Sequence, residues 1–245
     1  MELTDLRVPE TAYWIGVLHS DGKRVCYYLQ KNGKRYLRWE VALEVSPNSF
    51  PMLERFVQIF ETKFGRKLKI HRLSNGKYKV GTSVKRLIET FEELGIHFRG
   101  TAIPSWIKDD TKSFGAYLAG RIDGDGDIRI KGRTGKLRPT PQCVIRITDG
   151  SPQIELKSAI EKHLKCKALI TKRSGKSIYK GRIINGEWYT LEFLVSRKNI
   201  EFIEQYIFPN LTIPHKRLKM KRYFADFLDA RIEAKACASR VAGAN

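Results

Sequence analysis

One pattern of eleven residues occurs twice in this chain and constrains its fold more than any other feature. AYWIGVLHSDG at 12–22 aligns without gaps on AYLAGRIDGDG at 116–126, with Ala, Tyr, Gly, Asp and Gly coincident at an offset of 104 residues. Two copies at that spacing predict a duplicated unit of about 100 residues rather than a solenoid. The pattern behind each copy repeats too. KRVCYYLQ runs into Asn32-Gly33, a hairpin signal, and returns as YLRWEVALEV. Alternation puts Leu37, Trp39, Val41, Leu43 and Val45 on one face, and Arg38, Glu40, Ala42 and Glu44 on the other. In the second half DIRIK turns near Gly132 to Gly135 and returns as QCVIRIT, with Cys143, Ile145 and Ile147 inward and Gln142, Arg146 and Thr148 outward.

A helix follows each hairpin, marked by Met52, Phe56 and Phe60 and by Leu156, Ile160 and Leu164 at matching spacing. Next comes a second hairpin, KLKIHRLSNGKYKV in one half and a longer segment from ALITKRSGK to NGEWYTLEFLV in the other. Each half closes with an amphipathic helix, SVKRLIETFEEL or SRKNIEFIEQYI. The predicted fold is therefore α+β, two αββαββα repeats at 1–98 and 115–245. A linker at 99–114 contains Pro104, and a basic C-terminal helix begins at PHKRLKMKRYF.

Gly16 and Gly120 fall inside the repeated helices, where glycine costs about 1 kcal/mol against alanine. Their recurrence in register points to close packing of the two helices against each other. Asp21 and Asp125 stand at the helix feet. Side-by-side packing would bring both carboxylates to one end of the interface, where each raises the other's pKa unless a cation neutralises them. Mg²⁺ suits such a pair, since it needs only one or two carboxylates besides phosphate and water. Asp-Gly is also a common turn dipeptide, and recurrence is what separates this pair from an ordinary turn.

The charge balance names the partner class. Lys plus Arg number 46 against 26 Asp plus Glu, a net charge of +20 that favours a polyanion, nucleic acid first. The four cysteines are scattered without a CxxC pair and read as reduced thiols of an intracellular protein, cytoplasmic or organellar. The N-terminus lacks an apolar signal core, and no apolar run approaches the ~20 residues that span a bilayer.

WIGVLHSDG (14–22) and LAGRIDGDG (118–126) resemble the two signature motifs of LAGLIDADG homing endonucleases in their single-chain, two-repeat form. The second copy departs from the signature at Arg121 and Gly124, and the first carries His19 where an acid is more usual. The resemblance implies packed motif helices at the interface and two antiparallel sheets forming a DNA-binding saddle. It implies a monomer, encoded within an intron, that hydrolyses both strands of a long, non-palindromic DNA site. It puts the divalent metal on Asp21 and Asp125, with Mg²⁺ the expected ion and Mn²⁺ a substitute. It gives Asp123 a structural or capping role and His19 a packing one. It suggests Asn48 and Asp149 as polar residues after the first hairpins, and Lys216 as a basic residue near the site, with Arg99 its counterpart in the first half.

A two-stranded ribbon can enter the major groove and read base edges. The residues expected to do so are Arg24, Tyr28, Gln30, Arg38 and Glu40 in the first half, and Arg129, Lys131, Arg138, Gln142 and Arg146 in the second. Lys77, Lys79, Lys172 and Arg173 are expected on phosphates. Two diverged halves would span on the order of 20 base pairs, one helical turn each. Two rivals use the same surface. An intron-RNA-binding maturase would not need the acids, and a non-catalytic DNA-binding regulator would leave DNA uncut. An intein is disfavoured, because the chain has no splicing nucleophile at Met1 and no His-Asn end.

Overall fold

A computed structural model describes residues 3–94, 102–131, 141–179 and 182–242. Arg99 and Arg138 lie outside the described residues. The first repeat runs α1 (Pro9–Asp21), β1 (Gly22–Lys31), β2 (Lys34–Val45), α2 (Phe50–Phe64), β3 (His71–Arg72), β4 (Tyr78–Thr82) and α3 (Lys85–Glu93). A short helix, α4 (Ser105–Asp109), precedes the second repeat. That repeat comprises α5 (Thr111–Asp125), β5 (Gly126–Lys131), β6 (Gln142–Asp149), α6 (Ile154–Leu164), β7 (Ala168–Tyr179), β8 (Arg182–Val195) and α7 (Ile200–Phe202). A long helix, α8 (Pro214–Ala242), follows. The sheets have equivalent strand orders, β1-β2-β4-β3 and β5-β6-β8-β7, and every pairing is antiparallel. The predicted α+β duplication is thus present in the same order. Among the described residues no helix is long and apolar enough to cross a membrane.

The halves meet along α1 and α5, which are buried through most of their length on every side. That is why neither helix shows one apolar stripe: each serves two partners, its own sheet and the other helix. Gly16 and Gly120 make the approach possible. A Cβ on Gly120 would lie 2.9 Å from the Val17 nitrogen and 3.1 Å from the Gly16 Cα, and would collide with the Tyr13 carbonyl oxygen. A Cβ on Gly16 would collide with the Tyr117 carbonyl oxygen. The remainder of α1 packs through aromatics, with Trp14 stacked on Phe56 at 4.7 Å and in contact with Phe60, Phe64 and Phe91. Met52, Phe56, Phe60, Leu156, Ile160 and Leu164 are all buried, as their spacing predicts.

Three expectations need correction. Leu37 and Trp39 share a strand face with buried Val41, Leu43 and Val45, yet are 52% and 41% exposed. Of β2, only Val41–Val45 pair with β4, so beyond Val41 the β1–β2 hairpin is a free two-stranded ribbon that outruns the core. Its tip does turn as predicted, with Asn32 and Gly33 at φ 51° and 73°. The second hairpin of the first half is reduced, because β3 contributes only His71–Arg72. The closing helix of the second half is also irregular. After α7 it continues as π-type turns over Ile203–Ile207 and a 3₁₀ turn over Phe208–Asn210.

Replacing Gly120 with alanine is expected to cost about 1–3 kcal/mol through overpacking, read as a lower midpoint of thermal unfolding. Gly186→Ala, at a position with open space around it, should leave the midpoint unchanged within about 0.5 kcal/mol.

Candidate active site

Asp21 is the last residue of α1 and Asp125 the last of α5, so the packed pair delivers both carboxylates to one end of the interface. Gly124 keeps the space between the helix feet narrow: a Cβ there would lie 3.2 Å from Asp21 Oδ2. Burial raises the pKa of both acids. For Asp125 the negative charge of Asp21 adds to burial, Asp149 adds further, and the value reaches about 6. For Asp21 burial is the main cause, opposed by the positive charges of Lys216, Arg121 and Lys77.

Helix C-termini carry partial negative charge and disfavour acids. Two buried cations offset this. Lys216 Nζ donates to the Ile122 and Asp123 carbonyl oxygens at 2.7 and 2.8 Å, covering the last turn of α5. Arg121, only 2% exposed, donates to the His19 carbonyl oxygen at 2.5 Å, in the last turn of α1. Its guanidinium also pairs with Asp149 at 2.9 Å and with Gln153 Oε1 at 3.0 Å. Burial lowers the Lys216 pKa, while Asp123, Asp21, Asp125 and Asp127 oppose the shift.

Asp123 accepts the Tyr13 hydroxyl at 2.8 Å and the main-chain N–H groups of Thr212 and Ile213 at 2.7 and 3.3 Å, just ahead of α8. Arg55 lies 4.0 Å over the Tyr13 ring and donates to Thr212 Oγ1 at 3.1 Å. Asp123 thus locks the helix pair to the start of α8. Half-buried His19 meets the Tyr117 hydroxyl across the pair at 3.0 Å. Asp149 binds Arg121 and also accepts from the Ser151 N–H at 3.0 Å. Asn48 is exposed on the turn Pro47–Ser49. Among the described residues no three or more His, Cys, Asp or Glu side chains cluster as a metal nest. Sequence reasoning marks Arg121 only as a departure from the signature and misses its buried, bridging position. The one available signal is a cation amid the apolar run AYLAGRI.

Register decides which predicted reading residues share a face, since directly opposed residues project the same way. Glu40 opposes Val25 and Arg38 opposes Tyr27, on the face away from the helices. Arg24, Tyr28 and Gln30 oppose Val41, Leu37 and Arg35 and project the other way, which corrects the grouping of these five residues. Arg24 there pairs with Glu92 of α3 and covers Trp39 at 4.4 Å, while Arg35 covers Tyr28 at 3.9 Å. Lys79 stands with Glu40 at 2.9 Å and Lys77 with Glu44 at 3.4 Å, on the outward face. In the second sheet Arg129, Lys131, Gln142 and Arg146 do share the outward face. Arg173 joins them opposite Trp188, whereas Lys172 opposes Tyr189 on the reverse face and pairs with Glu187 at 2.9 Å.

The architecture is that of single-chain LAGLIDADG homing endonucleases. The I-LtrWI enzyme, solved bound to target DNA, superposes with a TM-score of 0.54 at 15% identity, covering 96% of this chain and 92% of that one. I-DmoI in complex with DNA and Ca gives 0.54 at 15% identity over 91% of this chain and 100% of that one. An I-DmoI variant with its target DNA in the presence of Mg gives 0.53 at 17% identity, over 83% and 97%. No protein-family model and no curated protein matches the sequence.

The raised pKa of Asp125 has a consequence for stability. A carboxyl whose folded pKa exceeds its unfolded value binds more protons when folded, so its contribution is favourable at low pH and is lost as pH rises through about 6. In metal-free buffer Asp125→Asn should therefore be more stable than the parent above pH 6. The difference should close between pH 6 and 4 in denaturant titrations.

Proposed function

We propose that the protein is a site-specific, divalent-metal-dependent double-strand DNA endonuclease, with Asp21 and Asp125 holding the metal. The observation that carries this reading is the pair of half-buried carboxylates at two abutting helix ends, with the Asp125 pKa raised to about 6 partly by its neighbour's charge. Such a pair fits a hard cation, because two oxygen donors that repel each other are relieved by positive charge between them. A two-carboxylate set leaves coordination positions for phosphate oxygens and water, as Mg²⁺ requires. Mn²⁺ is the natural substitute. A bound divalent ion would supply an activated water and stabilise the leaving oxygen of a phosphodiester.

The chain's own residues do the positioning. Gly16 and Gly120 set the spacing of the helices, and so of the acids. Lys216 and Arg121 keep both helix ends tolerant of ionised carboxylates, and Asp149 holds Arg121 in place. Outward-facing Arg38, Lys77, Lys79, Arg129, Lys131, Arg146 and Arg173 give the two sheets the basic surface that a duplex needs. Solved structures of similar fold include homing endonucleases bound to target DNA, with target DNA in the presence of Mg and in complex with DNA and Ca, which supports the same use here. The unlike halves imply a long, non-palindromic site.

Asp21→Asn and Asp125→Asn should each lower Mg²⁺-dependent cleavage of a selected target by on the order of 10³-fold or more, while duplex binding in Ca²⁺ is retained. Cleavage by both variants at the parental rate would refute the metal assignment. Binding without cleavage by the parent would instead identify a DNA-binding regulator.

A further inference from the structure

The two outward sheet faces, sorted by register, differ in chemistry. In the second sheet Arg129, Arg146 and Arg173 converge on one groove with Asp127, Thr148 and Trp188. Two of these guanidinium groups are braced by acids, Arg129 by Asp127 at 2.8 Å and Arg146 by Glu192. Bracing fixes the planar forks of two arginines that line the groove. The first sheet differs. Its lysines are matched by glutamates, Lys79 by Glu40 and both Lys23 and Lys77 by Glu44. Beyond these pairs its outward ribbon carries apolar Val25, Tyr27 and Leu29 on β1, with Tyr36 directly opposite Leu29, between Arg38, which donates to Ser83 Oγ, and Lys31 and Lys34 at the tip. Leu29 and Tyr36 are 37% and 51% exposed, so the ribbon holds apolar surface in water that a partner could cover.

We propose, resting on the endonuclease reading, that the two half-sites differ in base chemistry. The half-site under the second repeat presents guanines to the arginine groove. The half-site under the first repeat presents thymine methyl groups to the apolar residues of the ribbon, Leu29 and Tyr36 among them. Arginine forks match the O6 and N7 acceptors of guanine, whereas apolar side chains favour the C5-methyl of thymine, the one apolar group in the major groove. Position along the strands orders these contacts. Arg129 and Arg146 lie close to Asp125, so guanine contacts fall near the cut. Leu29 and Tyr36 lie near the hairpin tip, so methyl contacts fall toward the outer end.

The test begins with a target selected by the full-length protein from a randomised duplex library in Ca²⁺. Base analogues then change DNA alone. Replacing guanine by 7-deazaguanine in the second-repeat half should weaken binding roughly 5- to 150-fold for each bidentate arginine–guanine pair it breaks. The same change in the other half, where Arg38 is the one outward arginine of the β1–β2 ribbon, should have a smaller effect. Replacing thymine by uracil should weaken binding only in the first-repeat half. Arg173→Ala should relax base preference in its own half, and Arg173→Lys should restore affinity without restoring the preference. Equal sensitivity of the two halves to each analogue, or a reversed pattern, would overturn the proposal while leaving the endonuclease reading intact. Failure to select any target would count against that reading instead.

Discussion

Everything in this molecule depends on two helices touching at glycine. The contact between Gly16 and Gly120 brings backbone against backbone, and only that distance lets two residues 104 positions apart share one site. The aromatic packing around Trp14, the two sheets and α8 surround this axis. Close approach therefore sets both the packing and the spacing of the two carboxylates, and a side chain at either glycine would disturb the two together.

The same contact creates an electrostatic difficulty. Two carboxylates end up half-buried, near each other, at the negative ends of two helix dipoles. The fold answers with cations placed on main-chain oxygens rather than on the acids themselves. Lys216 covers the end of α5 and Arg121 the end of α1. The acids keep their repulsion, which adds to burial in raising the pKa of Asp125, and so stay suited to the metal of the proposed function. Direct pairing with Lys or Arg would have relieved that repulsion.

Much of this was legible in the sequence, and the limits are physical. Repeated motifs, in-register glycines, the Asn32-Gly33 turn and the helical spacing of Met52, Phe56 and Phe60 are local signals, and each appears in the fold. Asp123, for which the resemblance implies a capping role, closes a network with Tyr13 and Thr212. What alternation alone could not give was the side of the sheet that β1 presents. Its two sets of alternating residues, Arg24, Tyr28 and Gln30 against Lys23, Val25, Tyr27 and Leu29, both mix polar with apolar, because the free ribbon has no buried side to mark one of them. Only pairing with β2 separates them. The same holds for adjacent Lys172 and Arg173, which pairing with β8 sends to opposite faces. Arg121 was hidden for another reason, since its partners Asp149 and His19 become neighbours only after the helices pack.

The two cations at the helix ends come from unlike places. Arg121 belongs to α5 and supports the opposite repeat, whereas Lys216 comes from α8, the long helix that follows the second repeat. A chain built from two first repeats would have Val17 in place of Arg121. One built from two second repeats would bury two guanidinium groups in a single interface. The halves still look alike, but at this interface they are not interchangeable.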